Sequence, residues 1–207
     1  LCIFSSACFI GGLALGGLGN TITGGSSIAP GADSIYLIRM EGVISGSQSS
    51  GLLGGTSITP ESIIEQLISA EKNPGVKAII IRVNSGGGSA AASQEIFEEL
   101  KKIKKPVVVS VGDICASGAY YISCAADKIV ANRSSSIGSI GVIMQITNLE
   151  ELYKKLGITY TTIKAGKYKD AGSPDRPLTD EEQGLLQEQT FKVYDQFIND
   201  VAQSRNI

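Results

Sequence analysis

The stretch Val76-Lys77-Ala78-Ile79-Ile80-Ile81-Arg82-Val83-Asn84-Ser85-Gly86-Gly87-Gly88-Ser89 changes character once, from an apolar run to a polar glycine turn. The unbroken Ala78 to Ile81 segment predicts a strand buried on both faces over 76–83. The residues after Ser89 are amphipathic: Ala92, Ile96, Leu100 and Ile103 share one helical face, while the charged residues from Glu98 to Lys102 point to solvent. Strand, glycine turn and helix together make one unit of an α/β protein with a mostly parallel sheet.

The same alternation extends in both directions. Upstream, Thr59 caps a helix with Pro60 in its first turn and Ile63, Ile64, Leu67 and Ile68 on one face, and Asn73-Pro74-Gly75 stops it. Ser34 to Ser45 is β-rich, and Gly46 to Gly55 is a glycine and serine loop. Downstream, Pro106 opens a strand over 107–111, and a short helix runs from about Ser117 to Ala125. A strand from Lys128 to Ala131, a Ser/Gly turn and a strand from Gly141 to Ile146 come next. Asn148 caps a helix over Leu149 to Leu156 that Gly157 ends, and Ile158 to Ile163 reads as a strand. Thr179-Asp180-Glu181-Glu182 is a capping box opening a helix to about Ser204.

The chain has 207 residues, 43% of them hydrophobic and 18% charged, with a net charge of −2, which suits one globular domain and gives no electrostatic case for nucleic acid. The charges are unevenly spread, Asp33 being the first charged side chain. Residues 1–19 form a mostly apolar run long enough to cross a bilayer and are expected to be a single transmembrane anchor. Residues 20–33 are expected to be a flexible linker and residues 34–207 the folded domain; flanking charges that would orient the anchor are not present. The four cysteines show no metal-ligand spacing, and Cys115 and Cys124 read as packing residues.

Ser117 lies in Cys115-Ala116-Ser117-Gly118-Ala119-Tyr120-Tyr121, directly after an apolar strand, in a chain without histidine. A serine at a strand-to-helix turn is where a nucleophile would be presented, but its usual imidazole activator cannot come from this chain. If Ser117 reacts, another base must take its proton. The bland alternative is equally local: serine at a helix start is commonly a cap, and Asn84 to Ser89 can be a plain turn with Ser89 as cap. Two glycine turns at successive strand ends could instead aim amides from the Gly87 region and Gly118 at one carbonyl oxygen beside the Ser117 hydroxyl.

Four blocks carry a family resemblance: Arg82-Val83-Asn84-Ser85-Gly86-Gly87-Gly88, Ala116-Ser117-Gly118-Ala119-Tyr120-Tyr121, Gly138-Ser139-Ile140-Gly141-Val142 and Gly166-Lys167-Tyr168-Lys169-Asp170. From about Ser34 to Ile207 the chain resembles the bacterial signal peptide peptidases, membrane-bound serine proteases with a Ser/Lys dyad on the fold shared by the Clp protease proteolytic subunit and crotonases. The resemblance implies Ser117 as nucleophile, Lys169 as general base, oxyanion amides at Gly87 and Gly118, and Ser139 orienting the lysine. Lys164 and Lys167 fit the motif less well. A lysine base must be neutral, and since free lysine has a pKa near ~10.4, the role demands desolvation.

The resemblance further implies hydrolysis of unfolded apolar peptides such as cleaved signal peptides, with small or aliphatic side chains in the binding pockets and no metal or organic cofactor. It implies a homo-oligomer in which serine and lysine can come from different subunits, held on the cell membrane by a single pass with the peptidase domain extracytoplasmic. Gly86 stands where many members have proline, which loosens the turn. The chain also ends inside or just after a long helix where members usually continue, which suggests truncation. Two rival readings are a crotonase-like acyl-CoA enzyme, in which Ser117 is incidental, and a non-catalytic membrane scaffold of the same fold.

Overall fold

The computed structural model describes residues 33–47 and 57–206. The expected anchor over 1–19, nearly all of the expected linker over 20–33 and most of the Gly46 to Gly55 loop lie outside the described residues. Among those described, no helix is long and apolar enough to cross a membrane.

The central sheet contains β1 (Ser34–Glu41), β4 (Val76–Ser85), β5 (Val107–Ala116) and β6 (Lys128–Val130) in that order, with β7 (Ser136–Gly138) also on β5. Every pairing is parallel. A second, two-stranded sheet joins β2 (Val43–Ile44) to β3 (Ser57–Ile58). The apolar run of β4 is central, as its composition demands: Ile79, Ile81 and Val83 are fully buried, alongside Ile38 and Met40 of β1 and Val109 of β5. Helices α1 (Pro60–Lys72) and α2 (Ala90–Leu100) supply Ile63, Leu67, Ile96 and Leu100 to this core. Their caps are the expected ones, Thr59 accepting from the Ser62 amide and Ser89 from the Ala92 amide.

Three differences from the sequence expectations bear on the site. Strand β5 continues five residues past Val111 to Ala116, so helix α3 (Gly118–Cys124) starts directly off the strand with Ser117 as the single residue between them. No strand forms over Gly141 to Ile146; the pairing segment is Ser136–Gly138, where the sequence reads as a Ser/Gly turn. Ile158 to Ile163 also joins no sheet, and Ile163 is 96% exposed. Their apolar and β-branched residues mark these two segments as strand-like, but no strand among the described residues pairs with them.

The last elements are α4 (Glu150–Lys155), which buries no side chain, and α5 (Asp180–Arg205). Asn148 accepts from the Glu150 amide at 2.9 Å, so the helix starts one residue later than expected. Helix α5 opens with the complete capping box between Thr179 and Glu182.

Candidate functional site

Ser117 has φ 52° and ψ −125°, a backbone conformation that side-chain-bearing residues avoid. Its surroundings hold it there: its N–H donates to the Gly138 carbonyl at 2.8 Å, and its carbonyl accepts from the Tyr121 amide at 2.9 Å. Although it occupies the N-cap position of α3, its hydroxyl makes no capping bond and has no hydrogen-bond partner among the described residues. A serine serving as a cap would aim its oxygen at the second or third helical amide. This one is half-buried, with its hydroxyl free beside a cavity.

The glycine turn after β4 abuts this serine. A Cβ added at Gly87 would lie 2.7 Å from the Gly118 nitrogen and 2.9 Å from the Ser117 Cβ, and Gly87 has φ 97°. At Gly88 an added Cβ would sit 2.0 Å from the Ile44 carbonyl oxygen. Only glycine fits either position without displacing backbone. Strand β2 fixes the turn from outside, with the Ile44 amide donating to Gly87 O at 3.0 Å and the Ser89 amide to Ile44 O at 2.8 Å. In this parallel bridge Gly88 sends its own N–H away from β2.

Ser85 completes the turn and redirects the expected donor. Its hydroxyl donates to Gly42 O at 2.6 Å and accepts from the Gly87 N–H at 3.1 Å. The Gly87 amide is therefore engaged, whereas those of Gly88 and Gly118 have no acceptor among the described residues. The two lie close together, since a Cβ on Gly118 would be 3.6 Å from the Gly88 nitrogen. Asn84 has a related part that its place in the glycine block does not announce: its Oδ1 accepts from the Asp113 and Ile114 amides, both at 3.1 Å, where β4 and β5 slip register. A polar residue ending a buried strand was the available signal for both side chains.

Ser139 follows Gly138, whose carbonyl binds the Ser117 amide, so the chain brings Ser139 beside the turn. Ser139 also has a positive φ, 54°. Cys115 points elsewhere. It is fully buried, contacts Ser123 Oγ at 3.2 Å, and burial pushes its thiol above the usual range. It is a packing residue, as expected.

Lys169 makes no bond to Ser117 among the described residues. It is exposed, it does not line the cavity beside Ser117, and its amine has no partner among the described residues. The neighbouring lysines are occupied: Lys164 pairs with Asp170 and Lys167 with Glu181. The Lys169 loop is itself firmly held. Arg176 binds Asp170 through Nε at 3.0 Å and grips Glu182 with Nη1 at 2.8 Å and Nη2 at 2.6 Å. Arg176 and then Lys164 hold the Asp170 carboxyl well below the usual range. Arg176 and then the Thr179 amide bring Glu182 down to about 2.

The cavity beside Ser117 has a volume of 420 Å³. Gly88, Gly118 and Tyr121 line its inner side, and Val142 and Ile143 line it from the loop after β7. Helix α5 closes it with Val193, Gln196 and Phe197. Among the described residues no group of acidic, histidine or cysteine side chains could hold a metal ion.

A free serine hydroxyl on a strained strand-to-helix turn, with two free amides at its side and a cavity for a ligand, is the arrangement of a nucleophile site. Residues 99–207 match the model of peptidase family S49, and the chain belongs to that family. A candidate protease of Methanocaldococcus jannaschii is 42% identical over 198 residues, covering 94% of this chain and 62% of the relative. A candidate signal peptide peptidase, SppA, of Enterococcus faecium is 38% identical over 176 residues, covering 84% of this chain and 51% of the relative. The chain thus spans less than two thirds of the length of either relative. A solved membrane-bound stomatin-specific protease, 1510-N, in a lysine-to-alanine form with a substrate peptide, superposes with a TM-score of 0.47 at 22% identity. That overlap covers 56% of this chain and 49% of the other.

Proposed function

We propose that the chain is the working core of a serine endopeptidase with Ser117 as nucleophile and Lys169 as general base. The observation that carries this reading is Ser117 itself, strained at φ 52° and ψ −125° with no capping bond for its hydroxyl. Such strain is of the order of 1–3 kcal/mol, and a helix cap would not need it. Family membership and the free Lys169 amine support the assignment.

In the reaction, neutral Lys169 takes the Ser117 proton as Oγ attacks a peptide carbonyl carbon. The carbonyl oxygen becomes an oxyanion, held by the N–H groups of Gly88 and Gly118. Collapse breaks the C–N bond, and the lysine ammonium gives its proton to the leaving amine. Water, deprotonated by the same lysine, then releases the acyl group from Ser117. Ser139, beside the turn, orients the lysine. Ser85 supports the donors by occupying the Gly87 amide, and the Ile44 amide holds the peptide plane that carries the Gly88 N–H.

Lys169 comes from a second copy of this chain. Helix α5 supports this division, for it binds Tyr121 of the nucleophile helix through Asp200 and the Lys169 loop through Glu182. The two attachments lie eighteen positions apart on the helix, roughly 27 Å along the axis. The substrates are unfolded apolar peptides, cleaved signal peptides among them, which fits the largely apolar cavity and the description of the Enterococcus relative. The working protein is a membrane-anchored homo-oligomer with its peptidase domain outside the cytoplasm.

Treatment of the assembled protein with a serine-directed fluorophosphonate tests the nucleophile. Labelling is expected at Ser117 and absent in Ser117→Ala. An assembled wild-type protein that stays unlabelled would overturn the peptidase reading.

A further inference from the structure

Helix α5 is a long element held to the body by a short face. Phe197 and Val201 are buried, while Leu185, Phe191 and Ile198 remain exposed. Phe197 meets the Tyr121 ring edge-on at 5.0 Å, and Tyr121 stacks on Phe97 of α2 at 4.4 Å. The Tyr121 hydroxyl donates to Asp200 Oδ2 at 2.5 Å and accepts from Gln196 Nε2 at 3.4 Å. Arg205 Nη1 adds a bond to Ala126 O at 3.0 Å near the end of the helix.

Tyr121 also stands one turn after Ser117 and donates its amide to the Ser117 carbonyl. One residue therefore does three things: it braces the nucleophile turn, lines the cavity beside it, and ties down the helix that forms the cavity's outer wall. Burial, and then the bond to Asp200, raises the phenol above its ordinary value, so it remains a proton donor throughout the working pH range. A cavity of 420 Å³ lies within the usual range of small-ligand pockets, roughly 300–1,000 Å³, and leaves room beyond an alanine side chain.

We propose that Tyr121 and Asp200 are positioning residues that set substrate preference by holding α5 against the cavity beside Ser117, which takes leucine- or phenylalanine-sized apolar side chains. The proposal rests on the serine-peptidase reading. A large side chain reaches Val193 and Phe197 and draws binding from them; an alanine side chain does not reach that wall. Freeing α5 therefore weakens binding of the large side chains selectively.

The test uses assembled protein and three fluorogenic peptides that differ only in having alanine, leucine or phenylalanine before the scissile bond. Wild type is expected to favour leucine and phenylalanine over alanine. Tyr121→Phe keeps both ring contacts and removes the hydroxyl. It should raise KM for the leucine and phenylalanine peptides by roughly fivefold, the value of one lost hydrogen bond. Asp200→Ala, which removes the same bond from outside the cavity, should raise them alike with kcat and the alanine peptide little changed, and Asp200→Asn, which still offers an acceptor, should stay close to wild type. Ser117 labelling by a small fluorophosphonate should proceed at the wild-type rate in both Asp200 variants. Unchanged KM values, or an equal loss on all three peptides, would overturn the proposal while leaving the peptidase reading intact. A wild type that neither labels nor cleaves would overturn both.

Discussion

Residues 57–138 and residues 139–178 are built on opposite principles. The first segment ends each major strand in a turn locked by named bonds and buries most of its apolar residues, and it carries Ser117, two amides without an acceptor among the described residues and the inner side of the cavity. The second leaves Ile143 83% and Ile163 96% exposed, forms only the one-and-a-half-turn helix α4, and is held mainly by the ion pairs of Arg176. Exposed apolar residues of strand character, in the segment whose Lys169 amine has no partner among the described residues, are what the proposed second copy would cover. Under the proposed function, the nucleophile half is complete in one copy and the base half is not.

The largest effect that would sharpen this contrast is expected at Gly88. Gly88→Ala puts a Cβ 2.0 Å from the Ile44 oxygen, which the clamped turn cannot accommodate. A destabilisation of at least about 3 kcal/mol in urea titration is expected. Loss of activity with unchanged stability would show the turn to be looser than the bonds to Ile44 imply.

A smaller effect is expected in the base half, where charge rather than packing holds the loop. Glu182 and Asp170 are lowered by Arg176, so the stability they supply is present above the ordinary carboxylate range and is lost as the pH falls through their folded values. For Glu182 that window runs from the ordinary value of 4.5 down to about 2. Arg176→Gln should lower stability at neutral pH and flatten this acid dependence, read as urea midpoints at a series of pH values. An acid limb as steep as in wild type would remove Arg176 from this role.

The smallest effect is expected at Gly86. Its φ is not positive, and an added Cβ would meet only Ile114 Cδ1, at 4.0 Å. Gly86→Ala should therefore stabilise the protein by about 0.4–1 kcal/mol through the unfolded chain, measured by thermal unfolding. A destabilisation would mean that the turn needs freedom at this position.

Much of the fold is legible because local signals and packing agree. The Ala78 to Ile81 run, the Thr59 and Ser89 caps and the Thr179 box each produce the element they predict. Gly141 to Ile146 and Ile158 to Ile163 mislead because alternation predicts a strand only where a partner edge is available. At the site, Ser117 and Gly118 can be singled out from their place after an apolar strand. The engagement of the Gly87 amide by Ser85 cannot, because it depends on which way one peptide plane turns. That Lys169 does not line the cavity beside Ser117 is equally hidden, since no motif reports the path of α5 between its two attachments.

The central claim, that Ser117 of one copy works with Lys169 of another, is tested most directly by mixing. Ser117→Ala and Lys169→Ala proteins, each assembled alone, should show no fluorophosphonate labelling. After dissociation and joint reassembly, label should appear on Ser117 of the Lys169→Ala chains. Continued absence of label in mixed assemblies shown to contain both chains would contradict the account.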